Sequence, residues 1–189
     1  MNILPFHTLF TSSSEGWDAL AGRRASRFRR FAMFAAPFSL IPPLMLEYAG
    51  RHLGATLLPS VEIQAWNTAA LFFLLAELAT VPLMAWAIRS IALSKGVAAD
   101  EHDAFTLATV APIPLWLSAL VLFIPNPLAI VAGLVFGLAA SVLLIFRGVQ
   151  FVLDVNEPLI ALDIAYVVTA LGLVAWVVLV MLGLLPVLS

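Results

Sequence analysis

Glu77 is the residue whose setting most demands a chemical explanation. It lies inside a long apolar run, flanked by Leu74, Leu75, Ala76, Leu78 and Ala79. An ionised carboxylate held in hydrocarbon costs on the order of several kcal/mol, so Glu77 must be protonated, paired, or faced by a polar cavity. The nearest basic residue in the same run, Arg89, is twelve positions away, roughly 18 Å along a helix. A charged partner therefore has to come from another helix or another subunit. The chemistry such an acid offers is proton or cation handling. The alternative is a protonated acid bonded to a backbone carbonyl that Pro82 leaves free.

Other polar groups cluster outside the apolar runs. Arg147, Asp154 and Glu157, with Gln150, Asn156 and Asp163 nearby, are expected to form a polar cluster or a solvated loop whose acids cap a helix start. Asp100-Glu101-His102-Asp103 has metal-ligand types but lacks a Cys or a second nearby His. Its acids read more naturally as an N-cap for a helix starting at Ala104. Glu47 reaches Arg51 at i+4, a helix-stabilising pair. There are no cysteines, and the three histidines are far apart. No Ser–His–Asp set, phosphate loop, zinc signature or carboxylate pair can be assembled from these spacings. The expectation is a protein without catalytic residues, metal or cofactor.

The elements that must position these groups follow from composition. Of 189 residues, 63% are hydrophobic and 11% charged, against about 45–50% and about 25% in soluble domains. The mean hydropathy is +1.08. Such a chain cannot cover a water-soluble surface, and its net charge of −2 offers nothing to nucleic acid. The fold class is all-α and polytopic. Five runs approach the roughly 20 apolar residues that a crossing needs: 31–50, 65–93, 104–124, 128–146 and 159–188. Pro125-Asn126-Pro127 is the breaker between the third and fourth.

Residues 1–30 form a short N-terminal region ahead of this 31–189 membrane domain. Ser12-Ser13-Ser14-Glu15 offers a capping box. Trp17 with Arg23, Arg24, Arg27, Arg29 and Arg30 reads as an interfacial amphipathic helix, or as a topology signal. With five spans, eight of the nine basic residues share one side, with Arg51 alone on the other. The N-terminus is then cytoplasmic and the C-terminus outside. No cleavable signal peptide is expected, because the first apolar run begins at Phe31 behind five arginines.

Gly133, Gly137 and Ser141 place a small residue every four positions on the fourth run. Such a strip admits close approach of another helix, either from the same chain or from a partner. Prolines 37, 42, 43, 82, 112 and 114 are expected to interrupt the first three runs.

The order of these features resembles a known family. Glu15-Gly16-Trp17 and a basic stretch precede Pro-Phe-Ser-Leu-Ile-Pro-Pro at 37–43. Ala-Pro-Ile-Pro-Leu-Trp-Leu follows at 111–117, and then a Gly-rich fourth run closing at Phe146-Arg147-Gly148. This resembles the Yip (Ypt-interacting protein) membrane family, in particular its bacterial inner-membrane members. The resemblance implies five spans, a cytoplasmic N-terminus and a periplasmic C-terminus, and it carries over no catalytic residues. The expected function is a non-catalytic inner-membrane protein that binds lipids, other integral membrane proteins or a second copy of itself, as an accessory subunit of a larger complex. The runner-up is a small transporter or channel-like protein in which Glu77 handles a proton or cation.

Overall fold

The structure is a computed structural model, and it describes residues 35–54 and 58–188. Trp17, the five arginines between 23 and 30, and the Ser12–Glu15 capping box lie outside the described residues. Among the described residues all regular structure is helical. In chain order the helices are α1 (Ala36–Ser39), α2 (Ile41–His52), α3 (Ile63–Ser94), α4 (Glu101–Val110) and α5 (Ile113–Ser118). A 3-10 turn (Ala119–Phe123), α6 (Pro127–Val152) and α7 (Pro158–Leu188) follow.

Among the described residues four stretches are long and apolar enough to cross a bilayer: Ile63–Ser94, Glu101–Phe123, Pro127–Val152 and Pro158–Val187. The protein is a multi-pass membrane protein. Of the first expected span, α1 and α2 are described, and residues 31–34 lie outside the described residues.

The helix ends have local causes. Asn126 caps α6 by accepting from the backbone N–H of Leu128 (2.9 Å) and Ala129 (3.3 Å), with Pro127 at the first position, where no N–H is missed. Helix α3 ends at Gly96, whose φ of +77° permits the bonds Gly96 N–H to Leu93 (3.1 Å) and Val97 N–H to Ala92 (2.9 Å). Asp154 does the same for α6, with φ of 50° and a bond from Val155 N–H to Gln150 (3.3 Å). Asp is one of the few side chains that tolerate this left-handed conformation. Two expectations change here. Pro82 lies within an uninterrupted α3, and α6 runs six residues past Phe146, so Arg147 is helical instead of opening a connection.

Helix α3 is the hub, with α2, α4 and α7 packed along it, while α6 packs on α4, α5, the 3-10 turn and α7. One end of the bundle is filled by Ile88, Ala92, Leu107, Val149, Ile164 and Val168. The other end is filled by Ala49, Trp66, Ala69 and Val187. Glycines set the crossings. A Cβ on Gly50 would stand 2.5 Å from Trp66 Cγ, and one on Gly183 would stand 2.9 Å from Phe73 Cδ2. Between helices in lipid, van der Waals packing of this kind replaces the hydrophobic drive of a soluble core.

The glycine face of α6 is occupied by the same chain. A Cβ on Gly137 would lie 2.6 Å from Ser118 Cβ and 3.0 Å from the Pro114 carbonyl oxygen, and one on Gly133 would lie 3.0 Å from Val121 Cβ. Gly137→Leu is therefore expected to destabilise the bundle by about 1–3 kcal/mol through overpacking. Gly172→Ala, whose new Cβ meets no atom within 4 Å, is expected to leave stability equal or slightly raised. Thermal unfolding in detergent checks both, and an unchanged melting temperature for Gly137→Leu would contradict the packing described.

Candidate functional site

Between the two packed ends lies a half-enclosed cavity of about 400 Å³, walled by α2, α3, α4, α5, the 3-10 turn, α6 and α7. The wall is almost wholly carbon, with Leu46, Phe73, Val81, Leu115, Leu138 and Trp176 among its members. The hydroxyl and carboxyl groups on it belong to Glu77, Thr80, Ser118, Ser141 and Thr169, and Trp116 and Trp176 each add an indole. Among the described residues no Lys, Arg or His lines it.

Local structure decides which of these groups are available. Thr80 Oγ1 donates to the Ala76 carbonyl at 2.7 Å, and Ser118 Oγ to the Leu115 carbonyl at 2.7 Å. Both hydroxyls are thus spent on their own helix, a common resolution for Ser and Thr in helices. Glu77 is 3% exposed. The Trp116 side chain is set against its carboxyl group, while Oε2 has no hydrogen-bond partner among the described residues. Ser141 Oγ and Thr169 Oγ1 are likewise buried without a partner. Three helices thus each present one unpartnered oxygen on the same cavity wall. Buried polar groups are nearly always satisfied, and exceptions mark a role or an occupant.

All three oxygens sit at mid-helix. Glu77 is the fifteenth of 32 residues in α3, Ser141 the fifteenth of 26 in α6, and Thr169 the twelfth of 31 in α7. The position of each along its helix follows from sequence, whereas their lining one cavity follows from packing. Trp116 reaches Glu77 because Pro112 cannot sustain a straight span, and the chain restarts at Ile113 with Pro114 in its first turn.

The remaining expected sites fall elsewhere. Arg89 pairs with Glu101 at 3.4 Å, and Lys95 with Asp163 at 2.5 Å. These pairs tie α3 to α4 and to α7 at one end of the bundle. The described ion pairs do not join Arg147 to Asp154 or Glu157. Asp154 closes α6 through its backbone, and the Glu157 carbonyl accepts from Ala161 N–H (3.0 Å) as α7 begins. Asp100 occupies the N-cap position of α4 without a side-chain bond to that helix. Glu47 and Arg51 pair at 2.6 Å on the exposed side of α2. Ser141, expected as a packing residue, is also a cavity residue.

Trp116, Thr169 and Gly172 were not singled out by sequence. Thr169 does carry a signal, because it is the last polar side chain in α7 before a run of carbon that reaches Leu188.

The placing of Trp116 against Glu77 makes a test of the geometry. Trp116→Phe removes the indole N–H beside Glu77 and is expected to cost about 1–3 kcal/mol, the penalty of a buried polar group left unpartnered. Trp116→Phe with Glu77→Leu is expected to cost less than the sum of the two single changes, by about 1 kcal/mol. Reversible unfolding in mixed micelles measures the cycle, and strict additivity would contradict an interaction between the two side chains.

No family model, no curated protein and no solved structure matches the chain, so the chemistry of the site rests on its own residues.

Proposed function

We propose that this chain is a non-catalytic integral membrane protein that binds a small amphiphile from the lipid phase within its helix bundle. The observation that carries the reading is the cavity itself. A space of about 400 Å³ falls within the roughly 300–1,000 Å³ typical of small-molecule sites, which combine a mainly apolar wall with a few placed polar groups. Glu77, Ser141 and Thr169 are those polar groups here. The accessory-subunit form of the reading drew on the glycine face of α6. That face is filled by α5 and the 3-10 turn, so the ligand-binding form has the stronger support. A hydrated cation path fits less well, since water or a cation would meet carbon on nearly every wall.

The proposal includes the full topology. Five spans, with α1 and α2 belonging to the first, would put the N-terminus in the cytoplasm and the C-terminus outside a bacterial inner membrane. The likeness to the Yip family is part of the same proposal and rests on the proline and glycine placements quoted above. The absence of cysteine makes single-cysteine labelling clean. Ser60→Cys, in the turn before α3, is expected to react with an impermeant maleimide on intact spheroplasts. Ser94→Cys, at the far end of α3, is expected to react only after permeabilisation. The reverse pattern would overturn the orientation.

Ligand binding has its own test. Gly172 lines the cavity, and a side chain there meets open space. Gly172→Phe is therefore expected to fold with wild-type or higher thermal stability and to lose a small molecule that co-purifies with the wild-type chain. Mass spectrometry of organic extracts from both proteins makes the comparison. Identical extracts would refute the reading.

A further inference from the structure

We infer that the cavity holds one acyl chain of a phospholipid, laid lengthwise between the helices, with the head group left at the membrane surface. The inference rests on the ligand-binding reading above and names the part of the amphiphile that the cavity takes.

The shape of the cavity decides this. Its wall runs from Phe73 to Ile88 on α3, from Ile130 to Ile145 on α6 and from Val168 to Leu184 on α7. Each stretch covers fifteen or sixteen helical steps, roughly 22–24 Å at the helix rise. The stretches on α3 and α7 lie side by side, because Gly183 is set against Phe73 and Lys95 pairs with Asp163. Spread over that length, a volume of about 400 Å³ leaves a mean section of roughly 18 Å². The space is a slot with room for one hydrocarbon chain.

The polar groups fit the same shape. The two contacts between α3 and α7 set Thr169 about ten residues along the bundle from the level of Glu77, roughly 15 Å. The unpartnered oxygens are thus strung along the slot and gather into no pocket for a polar head. Among the described residues no cationic side chain lines the wall, so a phosphate inside would lack a counter-charge. Carbon enters, and the head stays outside.

The slot is closed at one end and open along one side. Ile88, Ala108 and Val168 belong to the packed cluster that also holds Val149 of α6 and Ile164 of α7. Phe146 of α6 lies edge-on to Tyr166 of α7 at 5.2 Å. Farther along, the two helices take different neighbours. Gly133 and Gly137 of α6 seat the third span, while Gly183 of α7 seats Phe73. Leu173 and Leu184 border the slot on α7 and are 38% and 41% exposed. Ile130 is the fourth residue of α6, and Leu184 the fifth from the end of α7. A lipid whose head lies at that face has the slot beside its tail. The slot outruns half of the hydrocarbon thickness, about 15 Å, so a chain fills it only when long and extended.

The full chain, stripped of lipid in detergent, is titrated with dioctanoyl, dilauroyl and dipalmitoyl phosphatidylglycerol, and with palmitate. Native mass spectrometry reads the number bound and the affinity. One dipalmitoyl lipid is expected to bind per chain, about tenfold or more tighter than dilauroyl, because an unfilled stretch of slot costs what a void in a core costs. Dipalmitoyl phosphatidylcholine is expected to match its phosphatidylglycerol, since the head lies outside. Gly172 lines the slot near its closed end, so Gly172→Phe is expected to erase the advantage of dipalmitoyl over dilauroyl. Gly172→Leu is a smaller plug should the phenylalanine fold poorly. Val174→Phe, on the exposed side of α7, is expected to change nothing.

Equal affinity for the three chain lengths in the wild type would refute the lengthwise chain, and extracts that still differ between wild type and Gly172→Phe would keep the ligand-binding reading. Palmitate bound more tightly than dipalmitoyl phosphatidylglycerol would refute the phospholipid as the source of the chain. No lipid held by the wild type, together with identical extracts, would overturn both readings.

Discussion

The break in the third span is the constraint on which the rest of the structure depends. Inside a bilayer, backbone that leaves the helix must be covered by protein, because no water is at hand to satisfy it. Pro112 and Pro114 impose such a break, and the glycine face of α6 covers it. Gly137 lets Ser118 and the Pro114 carbonyl approach, and Gly133 receives Val121. Glycine on α6 and proline on the third span are thus two halves of one device. Substituting either half would leave the other without a reason.

The same break makes the site. Restarting the helix at Ile113 turns Trp116 inward, where its indole N–H meets the Glu77 carboxyl group. The hub helix α3 thereby gains a polar link to the third span at a depth where its other contacts are carbon. A cavity remains because the bundle is filled at its two ends, by Ile88, Leu107 and Ile164 at one and by Trp66 and Val187 at the other. At mid-depth, small residues such as Ala108, Ala111 and Gly172 line the interior. Protein interiors are close-packed as a rule, so a void of this size with three unpartnered oxygens on its wall is a built feature.

Much of the architecture was legible in the residues. Pro125-Asn126-Pro127 separates two helices, and Asn126 caps the second. The second and fifth apolar runs appear as α3 and α7 within two residues of the expected bounds. Arg147 was harder, because a charge at the end of an apolar run looks like the end of the helix. A helix has no need to stop where hydrocarbon does, and Val149 and Val152, both buried, hold this one to its full length. Glu77 was legible as an anomaly of burial, yet Trp116, the side chain set against it, lies 39 positions away in sequence. Which tryptophan meets it depends on the phase of a helix restarted after two prolines, which spacing alone does not fix. The cavity was illegible because a void is the absence of side chains from seven segments at once, a property of the assembly and of no single one.

The length of α7 has a consequence of another kind. Its 31 residues extend about 46 Å, well beyond a hydrocarbon slab of about 30 Å. Even at the largest tilts seen for membrane helices, about 40°, a rod of that length overshoots the slab. The turns up to Asp163, tied to Lys95, are the part suited to stand among the headgroups. The remaining two dozen residues, with no charged side chain among them, then cross obliquely. A helix fitted in this way leans less as the bilayer thickens and more as it thins. Because α7 supplies one wall of the cavity, the width of the gap it bounds becomes a function of the lipid in which the protein sits.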